Sequence, residues 1–421
     1  MTMLSAVTGC TATADRSDNR APSSATESKR PPRPVHDPPQ KFASDAGTAM
    51  PAEATSGRLT VGGTLTAGLP VALHKQFAFV GTPQSVLVTD TGTGKVVRRV
   101  PPDGTPLREE AGTTGDLSSA QAPLLVEVDS TPLIVAAFLV KVTGTGTQAD
   151  HTALEITAID ANKAKTLWRL PVRLPSWSDN SYSGVTSAVV GAFEDTAVVK
   201  VADEDHAVSF GIDLAARRAL WTREDLSAVA VAGDTMVGVA VEDGVHQRAV
   251  GHDVGSGRRK WRGDDSYELE VHAAGPHLVT AQGRDYDSGN GYYRVLDART
   301  GAVKRNLSAL VDSVCRYDDK DTVVCGGRRT TEDVAYAMDA KSAAVLWQLP
   351  DKRADRIAPD VTTAWHGRVY GTTSKGPVVL DARSGDDVAT RPGIAPVVVN
   401  ESAGLALDDS GDRLMAYPTS G

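Results

Sequence analysis

An all-β fold, a β-propeller of eight four-stranded antiparallel blades, is what three features of this 421-residue chain predict. One eleven-residue phrase returns along most of the sequence. It returns at a period near 40 residues. Each period divides into four short apolar runs separated by turn residues. A ring of seven blades is the alternative count.

The phrase is read first. AIDANKAKTLW at 158–168 has ungapped relatives in VTDTGTGKVVR (88–98), GIDLAARRALW (211–221), GHDVGSGRRKW (251–261), VLDARTGAVKR (295–305), AMDAKSAAVLW (337–347) and VLDARSGDDVA (379–389). An Asp holds the third place in every copy: Asp90, Asp160, Asp213, Asp253, Asp297, Asp339 and Asp381. Trp168, Trp221, Trp261 and Trp347 close four copies, and Gly94, Gly257, Gly301 and Gly385 fill the seventh place in four. A carboxylate at the third place can accept hydrogen bonds from the turn N–H groups just after it. Gly tolerates the left-handed backbone that closes a short hairpin. The Trp falls on the next, outer strand, where it can cover apolar surface between neighbouring blades. A well-buried Trp is worth about 3–5 kcal/mol by truncation.

The spacing comes next. Successive phrase Asp residues lie 70, 53, 40, 44, 42 and 42 positions apart, which means an array of small units. Between Asp312 and Pro350, the runs DSVCRYDD, DTVVCGG, VAYAMDA and AVLWQLP read as four strands joined by hairpins. Four strands in about 42 residues describe one propeller blade. The wide first interval holds PLLVEVDS, PLIVAAFLVKV and HTALEITAID as one blade, with a long loop before it around Thr113 and Thr114 and an insertion near Gly144. The last stretch, APVVVNESAGLALDDSGDRLMAYPTSG, supplies three strands and stops at a half phrase. RLTVGGTLTAG, 58–68, is the spare N-terminal strand expected to complete that blade and close the ring, removing open edges.

The phrase resembles A-x-D-x-x-T-G-K-x-x-W, the repeat of the PQQ-like (quinoprotein-type) β-propeller family, and its seven copies cover the chain from roughly Gly57 to the end. WD40 and kelch patterns fit less well, for want of a Trp-Asp closure or of paired glycines at a period near 50. The resemblance implies two kinds of role. The family's enzymes hold pyrroloquinoline quinone with calcium, often against a vicinal Cys-Cys pair and beside a Glu, Asn and Asp set. This chain has no adjacent cysteines and no matching carboxylate set, so no cofactor is expected, and fold alone transfers no activity. The lipoprotein scaffold of the outer-membrane β-barrel assembly machinery is similar in fold and tethering, and adds surface contacts to a partner. The expectation is a non-catalytic scaffold; a PQQ-dependent dehydrogenase-like or other envelope enzyme is the alternative.

The N-terminal 56 residues carry no phrase. Val7-Thr8-Gly9-Cys10 resembles a bacterial lipobox, with Cys10 as the lipidated residue. Nine residues precede that Cys and none is Lys or Arg, so 1–10 reads as a truncated lipoprotein-type signal. Residues 11–56 have Pro at 22, 31, 32, 34, 38, 39 and 51 and few aliphatics, and read as a disordered tether. Residues 57–421 are the propeller. An extracytoplasmic protein, lipid-anchored or secreted, is expected. The Ala/Val/Asp/Arg/Thr-heavy, Lys-poor composition suggests a high-GC bacterium.

Composition narrows the partners. With 53 acidic and 44 basic residues the net charge is -9, and no basic block is present, which argues against nucleic acid. No run of about 18 apolar residues occurs, so membrane contact is expected only through a lipid on Cys10. Cys10, Cys315 and Cys325 lack zinc-site spacing. Cys315 and Cys325 fall on the first two strands of one blade, about a YDDK turn, and are expected to face each other as a disulfide. GRDYDSGNGYY, 283–293, places Asp285, Asp287 and Asn290 near one another, yet the third oxygen comes one place late and Leu296 sits where calcium loops have Glu. A solvated hairpin is expected there. The nine histidines form no ligand set, so no catalytic or metal residue is assigned. LPSWSDNSYSG puts Trp177 and Tyr182 in a loop between blades, as a candidate binding face. The partner is expected to be an envelope protein, a peptide or a glycan, and the chain a monomer.

Overall fold

The apolar runs pair as antiparallel strands. The computed structural model describes residues 35–55, 68–107, 121–180, 184–242, 246–307, 311–329 and 332–421. Cys10, Tyr182 and the loop around Thr113 lie outside them. Among the described residues the strands form successive antiparallel meanders, mostly four-stranded, the last completed by a strand from the N-terminal side. The first is Val71–His74, Phe77–Thr82, Ser85–Asp90 and Val96–Val100. The second is Leu124–Val128, Thr131–Val142, His151–Asp160 and Lys165–Arg173, with Thr105–Pro106 pairing the far end of its long second strand. The third is Thr186–Phe193, Thr196–Ala202, Ala207–Asp213 and Arg218–Glu224. The fourth is Leu226–Ala232, Thr235–Glu242, His246–Asp253 and Arg259–Arg262. The fifth is Ser266–Ala273, Leu278–Asp285, Gly291–Asp297 and Val303–Asn306. The sixth is Val311–Tyr317, Thr322–Arg329, Glu332–Asp339 and Val345–Leu349. The seventh is Asp360–Trp365, Arg368–Thr373, Gly376–Asp381 and Asp387–Ala389. The eighth has Val398–Val399, Ala403–Leu407 and Leu414–Pro418 from the C-terminal end.

The first strand of each meander touches the first strand of the next, and the first strand of the eighth touches that of the first. The meanders therefore form a closed ring, the arrangement of a β-propeller. Each sheet is buried on both faces, which explains why the middle strands read as continuous apolar runs. In Thr196–Ala202, Ala197, Val199 and Val201 face the second meander, and Val198 faces the fourth. The core is accordingly a set of apolar slabs, one between each pair of neighbouring sheets. The fourth and fifth meanders are further joined into one eight-stranded sheet, where Gln247 pairs with Ser266.

The closing strand differs from the expectation. Thr48–Ala49, not 58–68, pairs with Leu414–Pro418 and completes the eighth sheet. Of the 58–68 segment, only Gly68 is among the described residues, outside any strand. The tether boundary at 56 moves accordingly, because residues from 36 onward are built into the ring. His36 N–H donates to Glu401 O, the N–H groups of Gln40 and Lys41 both donate to Gly421 O, and Phe42 bridges Thr419. The physical reason is that Phe42, 4% exposed, supplies an apolar anchor to an otherwise Pro-rich stretch.

Candidate functional site: the repeat joints and the connector rim

The phrase spans the end of a third strand, a tight turn and the fourth strand. At the turn, Asp253 Oδ1 accepts from the Ser256 N–H (2.9 Å) and hydroxyl (2.7 Å). Asp297 accepts from Arg299 N–H (3.1 Å), Thr300 N–H (3.0 Å) and the Thr300 hydroxyl (2.9 Å). Asp90, Asp160, Asp213, Asp339 and Asp381 accept from their own turns in the same way. The Ser256 hydroxyl, ahead of the Ser256 N–H and Lys260, holds the Asp253 carboxyl below its usual range against partial burial. The seventh place is left-handed in all seven copies. Gly94, Gly257, Gly301 and Gly385 have φ of 65–75°, and Ala164, Arg217 and Ala343 have φ of 54°, 56° and 59°. The turn geometry thus persists where Gly is replaced, at a local strain of about 1–2 kcal/mol.

The indoles link one meander to the next. Trp221 Nε1 donates to Val254 O (2.7 Å), Trp261 Nε1 to Ala298 O (2.8 Å) and Trp347 Nε1 to Ala382 O (2.8 Å). Each acceptor is the fourth residue of the following phrase. The Trp221 ring also lies on Gly257, where a Cβ would come within 2.7 Å of it. Trp168 packs, half-buried, against the slab between the second and third meanders.

A second rule emerges within each phrase. The first and eleventh residues are direct cross-strand partners, as in Ala158 with Trp168, Gly211 with Trp221, Gly251 with Trp261 and Ala337 with Trp347. A Cβ on Gly211 would come within 2.2 Å of the Trp221 ring. The three phrases without Trp pair Val88 with Arg98, Val295 with Arg305 and Val379 with Ala389. A small residue opposite the indole is therefore a steric requirement, visible in the sequence once the register is known. Where the seventh phrase ends in Ala389, Phe42 enters the joint instead. It packs edge-on to Tyr370 (6.1 Å, 63°), within the slab that holds Val379 and Val399.

Cys315 and Cys325 are paired residues on the first two strands of the sixth meander and form a disulfide. In the 283–293 hairpin, Asp285 Oδ1 is taken up by the Ser288 N–H (2.9 Å) and hydroxyl (2.7 Å), so this stretch is one more Asp-capped turn. Among the described residues no group of three or more His, Cys, Asp or Glu side chains could hold a metal ion.

The meanders give the ring two distinct rims. One carries the phrase turns and the links between first and second strands. The other carries the second-to-third hairpins and the connections between meanders. Residues 37–42 lie at the phrase rim. There the Nδ1 of His366 contacts Asp37 Oδ1 (2.5 Å), its ring stacks on Trp365 (3.8 Å, 15°), and the Tyr370 hydroxyl donates to Pro39 O (2.8 Å). On the connector rim, Trp177 begins a short helix, Trp177–Asn180, between the second and third meanders. Its half-buried ring stacks on His206 from the next hairpin (5.2 Å, 12°). A second pair spans the joint between the fourth and fifth meanders, where His246 lies 4.2 Å from Tyr286. Tyr182 falls outside the described residues. His206, His246 and Tyr286 were not legible as site residues, because each pair joins different repeats.

No family model matches the chain, and no curated protein matches it. Similar solved structures include BamB from Moraxella catarrhalis, at 12% identity and a TM-score of 0.44, covering 83% of this chain and 95% of that one. A europium-containing methanol dehydrogenase shows 10% identity and a TM-score of 0.43, with 90% of each chain covered. The quinohemoprotein alcohol dehydrogenase ADHIIG from Pseudomonas putida HK5 shows 10% identity and a TM-score of 0.43, covering 91% of this chain and 75% of that one. The fold of this chain rests on its own strand pairing, and no residue role passes to it from these proteins.

Proposed function

We propose that this protein is an eight-bladed, extracytoplasmic β-propeller, lipid-anchored through Cys10, that works as a non-catalytic scaffold and binds a protein, peptide or glycan on its connector rim. One observation carries the reading. Two aromatic–imidazole pairs, Trp177 with His206 and Tyr286 with His246, bridge blade joints on the connector rim, opposite residues 37–42. Loops held by a stiff scaffold are where such folds place their contacts. The Cys315–Cys325 disulfide supports an oxidising compartment.

The test is site-specific photocrosslinking in cells, with the crosslinker at Trp177 or Tyr286 on one rim and at Lys341 or Arg383 on the other. Adducts confined to the first pair are expected. Adducts only from Lys341 and Arg383 would reject the rim assignment. A Cys10→Ser chain should move from the membrane to the soluble fraction. Dye-linked alcohol or sugar oxidation by protein loaded with quinone and calcium would reject the scaffold reading.

A further inference from the structure

Four of the nine tyrosines in this chain, Tyr267, Tyr286, Tyr292 and Tyr293, lie in the fifth meander, although aromatic residues make up only 5% of the sequence. Two of them gather with His246 at the connector rim. Tyr286 is 40% exposed at the tip of the second hairpin. The His246 ring tilts over it at 57°, and Tyr267 meets it edge-on, 6.0 Å away at 79°. Around this cluster stand planar polar groups. Arg284 Nε donates to Glu268 Oε2 (2.8 Å), and Asp287 and Asn290 are exposed. Tyr292 is already engaged, with Arg294 on its face at 4.2 Å and its hydroxyl hydrogen-bonded to Ser266 Oγ at 2.6 Å.

The backbone beneath joins the two meanders, with an irregularity just after Tyr267 where Glu268 is left-handed. Gln247 pairs with Ser266, and Leu269 N–H donates to Gln247 Oε1 (2.7 Å), tying the two meanders together. His246 and Tyr267 each lie one residue from that pair, and both rings already pack on Tyr286 before any ligand arrives. The hairpin is closed up to its tip: Arg284 pairs with Gly291, Asp285 N–H donates to Asn290 O, and Gly289 N–H donates to Asp285 O. The hairpin's two strands thus already spend these backbone groups on each other, and its exposed side chains are what it offers to a ligand. The exposed Tyr286 ring with its half-buried neighbours offers apolar ring surface to the C–H face of a sugar, and carboxylate, amide and guanidinium groups suit its paired hydroxyls. Glu268 and Arg284 neutralise each other, which removes the preference for an anionic polymer. Preorganised rings reduce the ordering cost of binding.

We propose that the Tyr286, His246 and Tyr267 cluster is a recognition platform for a neutral glycan. This rests on the connector rim being the binding face, and specifies the ligand class. The test uses the full chain in affinity electrophoresis through gels containing a soluble glucan, mannan, galactan or arabinan, with calorimetry on oligosaccharides of any polymer that retards it. Retardation by at least one polymer is expected. Tyr286→Ala should weaken binding at least tenfold, and Tyr286→Phe should stay within about threefold, because the ring is kept. Arg383→Ala, on the phrase rim, should bind as the parent does. Melting temperatures separate loss of binding from loss of folding. No retardation by any polymer, or full retardation of Tyr286→Ala, overturns the glycan assignment. So does binding of a proline-rich peptide at the same rings, although that result leaves the rim reading standing. Crosslinks confined to the phrase rim remove the rim reading itself.

Discussion

Removal of residues 1–55 should destabilise the ring, whereas a chain starting at 35 keeps its seam. The strap from His36 to Met50 brings two large contributions. Phe42 is 4% exposed within the apolar slab between the seventh and eighth meanders. Losing a buried Phe costs about 3–5 kcal/mol. Tyr370, fully buried, loses the Pro39 carbonyl that accepts its hydroxyl hydrogen bond. A buried donor left without a partner costs about 1–3 kcal/mol. The sum, about 4–8 kcal/mol, is comparable to the whole stability of an ordinary domain. Unfolding entropy for the Pro34–Gly421 ring is roughly 0.8 kcal/mol per kelvin, so the melting temperature should fall by roughly 5–10 °C. Phe42→Ala in the full chain should give about two thirds of that drop. Differential scanning calorimetry of 35–421, 56–421 and Phe42→Ala measures all three. A 56–421 chain melting within about 2 °C of 35–421 would refute the role of the strap.

Three further outcomes follow from the phrase. Gly257→Ala should cost about 2–4 kcal/mol, from its left-handed backbone and the Trp221 ring beneath it, whereas Arg217→Gly should gain about 0.5–1 kcal/mol because Arg217 is exposed and already left-handed; urea unfolding reads both, and equal effects would contradict the strain argument. Ala337→Val should cost about 1–3 kcal/mol by crowding Trp347, and the double change Ala337→Val with Trp347→Ala should cost at least about 1 kcal/mol less than the two singles added; strict additivity would reject the steric rule. The carboxyls of Asp253 and Asp339 are held below their usual range, first by the Ser256 and Ser342 hydroxyls, so their contribution is complete above about pH 4 and disappears as pH falls through the lowered folded-state values. Asp253→Asn with Asp339→Asn keeps an oxygen acceptor and removes the titration. The melting temperature of that variant should fall less steeply below about pH 4, and an unchanged slope would count against the assignment.

The local parts of this fold were legible, and the distant parts were not. The turn that follows Asp297 uses bonds to residues two and three positions on, so residue type and spacing alone foretell it. The facing of Cys315 and Cys325 follows from hairpin register in the same way. Ring closure escaped for a different reason. Thr48–Ala49 is two residues long, with no alternation to read, and sits among prolines that signal a loose tether. What holds it is packing around Phe42 and bonds to residues more than three hundred positions away. The strand-like 58–68 text competed for the same role on pattern alone. The connector-rim pairs were hidden because His246 and Tyr286 come from different repeats and meet only across a joint. The tie between a small first residue and a Trp at the eleventh place was present in all four Trp copies. Its meaning required the cross-strand register.

The interlacing of residues 36–50 with residues 401–421 has a consequence for synthesis. A ribosome releases the strap well before the strands it must join, so the nascent molecule stays an open arc until residues 401–421 have emerged. Two unmatched sheet faces wait through that interval. Assembly should therefore be slow for a chain of this size, and sensitive to any delay before the final stitch.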